Sequence, residues 1–128
     1  KTISNQVAIT INATNTDMNY YFDKVEKTEG YINVTGWAFL KGMNATANKT
    51  FVLLKKDKDV TAFDITIRER KDVTKSFLKD KLSLDSAGFT TSIPIEGLQP
   101  GKYQVGIYIF NGNQSSMRYS SKFVEVGK

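Results

Sequence analysis

Apolar residues in this chain recur at every second position. Between positions 102 and 110, Tyr103, Val105, Ile107 and Ile109 alternate with Lys102, Gln104, Gly106 and Tyr108. Side chains of an extended backbone point alternately to opposite faces, so a period of two predicts a strand with one buried face. Val7, Ile9 and Ile11 alternate in the same way with Ala8, Thr10 and Asn12 and predict a half-buried strand. Positions 60–68 alternate again, with Phe63, Ile65 and Ile67 set inward. Residues 31–40 place Ile32, Val34, Gly36, Ala38 and Leu40 on one face and Tyr31, Asn33, Thr35, Trp37 and Phe39 on the other. Partial cover on both sides is expected of such a central strand. Segments 18–25, 50–55, 89–95 and 116–126 bring the total to about eight short strands.

The punctuation between these segments suits strands. Positions 41–49 read as a polar loop and 56–59 as a charged turn. Asp85-Ser86-Ala87-Gly88 is turn chemistry. Asn111-Gly112 is a favoured pair for the centre of a two-residue hairpin, where a type I′ turn needs positive φ at both positions. Asp72 is expected to cap a short helical turn near 72–78, with Val73 and Phe77 on one face. No long amphipathic helix is predicted. The pattern calls for an all-β sandwich or barrel. A length of 128 residues suits a single domain spanning 1–128, and two prolines leave no Pro-rich linker to divide it. The chain begins with Lys1, as expected of a segment processed or excised from a longer protein.

Composition narrows the chemistry. There is no cysteine and no histidine. That removes thiolate nucleophiles, disulfides, Cys-ligated zinc, and the commonest general base and metal ligand near neutral pH. Asp57 and Asp59 sit among lysines that keep them ionised and oppose a cation, and Asp80 and Asp85 merely flank an apolar stretch. No phosphate loop or nucleophile elbow is present. The chain is expected to be no enzyme and to need no cofactor or metal. The net charge is +5, but acids interrupt both basic stretches, 55–58 and 68–71, so no nucleic-acid stripe is expected. No apolar run is long enough to insert in a membrane. Asn-x-Ser/Thr triplets at Asn12, Asn33, Asn44, Asn48 and Asn113 are read as chance in a chain rich in these residues.

One segment is more specific. Leu98-Gln99-Pro100-Gly101-Lys102-Tyr103 resembles the tyrosine corner of fibronectin type III and related immunoglobulin-like sandwiches. Pro100 and Gly101 would build the turn, Leu98 would fill the core edge, and the Tyr103 hydroxyl would bond a backbone group a few residues upstream. The resemblance implies an immunoglobulin-like antiparallel β-sandwich of about seven to nine strands. Gly36-Trp37-Ala38-Phe39, then Arg68, Arg70, Asp72 and Val73, then Phe77, Gly88-Phe89 and the corner follow an order similar to β-sandwich accessory domains of bacterial cell-envelope proteins. Some of those domains are attached to glycopolymer-processing enzymes. That resemblance implies an extracellular or envelope-associated module without catalytic residues, in which Arg70 and Asp72 form an ion pair holding the crossover between sheets.

Trp37 is expected to anchor the core. Two functions then compete. A spacer or interaction module would contact neighbouring domains of a larger chain. A carbohydrate-binding module would recognise a glycan or an anionic cell-wall polymer through exposed aromatics, with Tyr20, Tyr21, Tyr31, Tyr108 and Tyr119 as candidates.

Overall fold

The alternating segments pair into two antiparallel sheets in the computed structural model, which describes residues 5–14 and 16–127. One sheet, here sheet I, contains β1 (Gln6–Val7), β4 (Lys49–Lys56), β5 (Asp59–Asp64), β8 (Gly101–Asn111) and β9 (Gln114–Val126), in the order β1-β5-β4-β8-β9. Sheet II contains β2 (Met18–Thr28), β3 (Tyr31–Leu40), β6 (Thr66–Arg68) and β7 (Gly88–Pro94), in the order β2-β3-β7-β6. A single short α-helix, α1 (Lys71–Ser76), lies among the described residues in the 69–87 segment, here the crossover, which joins the neighbouring antiparallel strands β6 and β7 of sheet II rather than passing between the sheets as expected. This is the all-β sandwich that the alternation calls for. Among the described residues, no helix is long and apolar enough to cross a membrane.

The inner faces make the main core. Ile32, Val34, Ala38 and Leu40 from β3 meet Val52 and Leu54 from β4 and Val105, Ile107 and Ile109 from β8, all fully buried. Each large apolar side chain removed from water in this way contributes roughly 1.5–3 kcal/mol. The corner closes one end of the core. Tyr103 is buried, and its hydroxyl donates to the Gln99 carbonyl at 2.7 Å. Leu98 packs against the core edge as expected.

Four local expectations change. Only Gln6–Val7 of the first alternating segment joins a ladder, opposite Phe63 and Ala62 of β5. Beyond Val7 the chain leaves the sheet edge, yet its alternation persists, with Ile9, Ile11 and Ala13 half-buried and their neighbours exposed. The 60–68 segment is two strands rather than one, because the chain changes sheets at Ile65. Phe63 is buried and Ile65 half-buried, but Ile67 is 58% exposed. Ile67 shares a face with its ladder partner Phe89, but it sits on a three-residue edge strand. The hairpin between β8 and β9 is shifted by one residue. Asn111 pairs with Gln114, so Gly112 and Asn113 form the turn, and only Gly112 has positive φ, at +64°. Glycine at the first central position is the type II′ solution. Asn111 is drawn into the strand because its buried amide donates to the Asn44 carbonyl and to Asn48 Oδ1. Finally, Asp72 does not cap α1. It lies in the first turn, and its carboxylate turns back to Arg70.

Candidate functional site

Both sheets keep an outer face, and the two are built differently. On sheet I, the 7–14 segment crosses that face as a strap. Val7, Ile9 and Ile11 pack with the buried residues Leu53, Ala62 and Tyr108. The strap is fastened at the far hairpin. Thr14 N–H donates to Ser115 Oγ at 2.9 Å, Ser115 N–H donates to Thr14 Oγ1 at 2.8 Å, and Ser115 Oγ donates to the Asn12 carbonyl at 2.9 Å. Phe51 stacks on both Tyr108 and Phe110 beside it. At the opposite end, lysines lie over rings, Lys55 at 5.1 Å from Tyr119 and Lys102 at 5.0 Å from Phe123. Burial raises the Tyr119 hydroxyl above the ordinary tyrosine value, as it does that of Tyr103.

On sheet II, the crossover covers only one end of the outer face. There Phe39 is fully buried with Val73, Leu84 and Ala87, while Phe77 and Trp37 pack against them. Trp37 is therefore not in the inter-sheet core. It is half-buried on the outer face, stacked on Phe39 and edge-on to Phe77. Arg70 ties the crossover down. Its guanidinium holds Asp72 through two bonds, at 2.9 and 2.8 Å, and donates to Asp23 at 2.6 Å. Asp23 is the extra residue where the β2–β3 register shifts between Phe22 and Lys24. A bulge of this kind re-aims a side chain that a regular strand would place elsewhere. The stem of Arg70 lies on Gly88, where any Cβ would collide with Arg70 Cγ and with the Arg68 carbonyl. The hydrogen bonds that Arg70 donates to Asp72 and Asp23 raise its pKa, and the Arg70 bond holds Asp72 below the usual carboxylate range.

The rest of this face is open and polar. The ladder sets Tyr21, Trp37 and Gly88 in one row and Lys24, Thr35, Thr90 and Thr66 in the next. The following rows are Glu26, Asn33 and Ser92, then Thr28, Tyr31 and Pro94. Ser92 Oγ donates to Asn33 Oδ1 at 2.6 Å, Asn33 Nδ2 donates to Thr28 Oγ1 at 2.9 Å, and the Thr35 and Thr90 hydroxyls are 3.2 Å apart. Beside Tyr31, where β7 runs on past the first residue of β6, a notch of about 450 Å³ opens between Tyr31, Thr66, Thr90 and Ser92. Asn5 closes its back, its amide donating to Thr91 Oγ1 and to the Ser92 carbonyl, each at 3.0 Å.

The five candidate tyrosines do not converge. Tyr20 packs at the edge of the main core, edge-on to Phe22. Tyr108 is buried beneath the strap, and Tyr119 is half-buried on the same sheet. Only Tyr21 (59% exposed) and Tyr31 (47%) share an accessible surface, the outer face of sheet II. Pro100 and Gly101 lie at the corner, away from this surface, beside Lys27, Glu125 and Val126. Sequence reasoning missed the hydroxyl and amide floor between the two tyrosines, and it missed Asp23. The signal for Asn33 and Thr35 was present, since the alternation puts them on the face of Tyr31 and Trp37. Asp85, one of the acids weighed for catalysis, instead accepts from Thr74 within the crossover, and the side chain of Asp80 lies outside the described residues. No protein-family model, curated protein or solved structure matches the chain.

Proposed function

We propose that this chain is a non-catalytic interaction module of a bacterial surface or envelope protein, working outside the cytoplasm and making its contacts through the outer face of sheet II. The observation that carries this reading is the uncovered stretch from Tyr21 to Tyr31. A sandwich needs only its inner faces for stability. Sheet I has part of its outer face overlaid by the strap and leaves Phe110 and Phe123 exposed at its two ends, whereas sheet II leaves Tyr21 and Tyr31 in solvent above an ordered polar floor. Exposed aromatics beside fixed hydrogen-bonding groups suit recognition. The absence of histidine and cysteine from the sequence supports the non-catalytic part. The resemblance of the 98–103 corner and the 68–73 segment to envelope accessory domains supports the location.

Photo-crosslinking in the parent protein tests this. A benzoyl-phenylalanine at Thr35, on the open face, is expected to capture a neighbouring domain or surface component in cells. The same residue at Thr10, on the strap, is the control. Capture from Thr10 with none from Thr35 overturns the assignment of the face.

A further inference from the structure

We infer that the open face of sheet II is a binding site for an uncharged oligosaccharide, with the notch beside Tyr31 as its principal subsite. This rests on the reading of that face as the contact surface and adds the chemistry of its partner.

Charge comes first. The floor, Thr28, Asn33, Thr35, Thr66, Thr90 and Ser92, contains no ionisable group. Among the charges at its margins, Asp64 lines the notch and Arg68 ends the Tyr21–Trp37–Gly88 row, while the others are paired. Lys24 lies 3.8 Å from Glu26 along the β2 edge, and at the crossover end Arg70 is held by both Asp23 and Asp72. An anionic ligand in the notch would lose water and meet Asp64 rather than an opposite charge. A neutral ligand meets no such penalty. The basic, ring-backed end of sheet I around Lys55, Lys102 and Phe123 is where an anionic polymer would find its counter-charge, so the two faces select against each other's ligand.

Hydrogen bonding comes next. Each floor hydroxyl offers one proton and two lone pairs, and an amide offers two of each. The Ser92–Asn33–Thr28 chain and the Thr35–Thr90 contact use part of that capacity and fix the orientation of the remainder. A ligand dense in hydroxyls, each both donor and acceptor, is the complement of such an array. The rings supply the apolar element. Tyr31 and Tyr21 offer exposed faces on which the C–H side of a pyranose can lie, because a ring face is electron-rich and a C–H edge is weakly positive. Tyr31 and the Tyr21–Trp37 row are six positions apart along β3, a separation of about 20 Å at the strand rise. That favours a chain of sugars over a single ring. The 450 Å³ of the notch lies within the usual range for small-ligand sites, roughly 300–1,000 Å³.

Calorimetric titration of the wild-type chain with cellohexaose, xylohexaose, mannohexaose and chitohexaose, each in turn, tests the inference. Polygalacturonate and a teichoic acid serve as anionic comparators. Saturable binding by at least one neutral oligosaccharide is expected. Tyr31→Ala is expected to weaken it at least tenfold, Ser92→Ala and Tyr21→Ala by smaller factors, and Phe123→Ala on sheet I not at all. Circular dichroism and the melting temperature check that each variant is folded, and Tyr31→Phe keeps the ring and is expected to retain binding. Binding by none of the neutral oligosaccharides, binding by the anionic comparators alone, or loss through Phe123→Ala with Tyr31→Ala unaffected overturns the inference. If the Thr35 crosslink forms while no oligosaccharide binds, only the ligand class fails. If Thr35 captures nothing, the contact face itself fails.

Discussion

Sheet I carries apolar side chains on both of its faces, whereas sheet II does so on its outer face only where the crossover lies on it. Leu53 and Tyr108 are buried on the outside of sheet I because the 7–14 strap supplies Val7, Ile9 and Ile11 to cover them. The corresponding positions of sheet II beyond Trp37 are Thr35, Asn33, Thr90 and Ser92, with nothing among the described residues laid over them. Both faces arise from the same alternation. What separates them is whether a second segment of the chain is available as a lid. The inner faces of a sandwich are constrained by the fold, so the outer faces are where sequence is free to record a use. On that criterion the apolar outer face is structural, and the polar one is the surface proposed here for contact.

The comparison breaks first at Leu53. Leu53→Ala is expected to destabilise by about 2–5 kcal/mol, measured by urea unfolding, because the strap and sheet I hold it without solvent contact. A cost within the range of surface substitutions would mean that the strap seals nothing. Ser115→Ala removes an acceptor for Thr14 N–H and a donor to the Asn12 carbonyl, and is expected to cost about 1–3 kcal/mol. Amide exchange at residues 8–14 should accelerate in this variant while exchange in β3 and β7 stays unchanged. Unchanged exchange in the strap would sever it from the hairpin.

The anchor of sheet II is sensitive to acid instead. The Arg70 bond lowers the Asp72 pKa, so the contribution of Asp72 is complete above the ordinary carboxylate range and fades as pH falls through the lowered value. Asp72→Asn is therefore expected to flatten the fall of melting temperature between about pH 5 and pH 2 relative to wild type. The group is exposed, so the change is small, and identical acid limbs would remove the pair from the stability of the crossover. Smallest of all, Tyr21→Ala on the open face is expected to change unfolding free energy by less than about 0.5 kcal/mol. A larger loss would give that ring a structural duty and weaken its assignment to recognition.

The sequence exposes features that are local and hides those set by partners far along the chain. The corner is legible because Pro100, Gly101 and Tyr103 complete it within a few residues, and the Tyr103 bond reaches back only four. The alternation of β3 and β8 is equally plain. By contrast, the change of sheet at Ile65 leaves no mark, since alternation continues from β5 into β6 and only ladder partners distinguish them. The hairpin is displaced because Asn111 is claimed by Asn44 and Asn48, more than 60 positions upstream. Asp23 meets Arg70 across 47 positions through a register shift that single-strand patterning does not encode. The open face itself spans β2, β3, β6 and β7, so Tyr21 and Tyr31 could be marked one by one, while the floor between them appears only once the strands are placed side by side.

The strap has a further consequence in time. Thr14 and Ser115 are 101 positions apart, so their contact closes nearly the whole chain into one loop. Contacts at such separation give up the most chain entropy and are rewarded only after the intervening segments are in place. The strap is therefore expected to close late, on sheets already assembled, with its bonds absent when the rate-limiting barrier is crossed. Loosening it with Ser115→Ala should then speed unfolding and leave the refolding rate nearly unchanged, a split that stopped-flow kinetics resolves. That outcome would make the strap a latch on the lifetime of the folded domain, with no part in finding the fold.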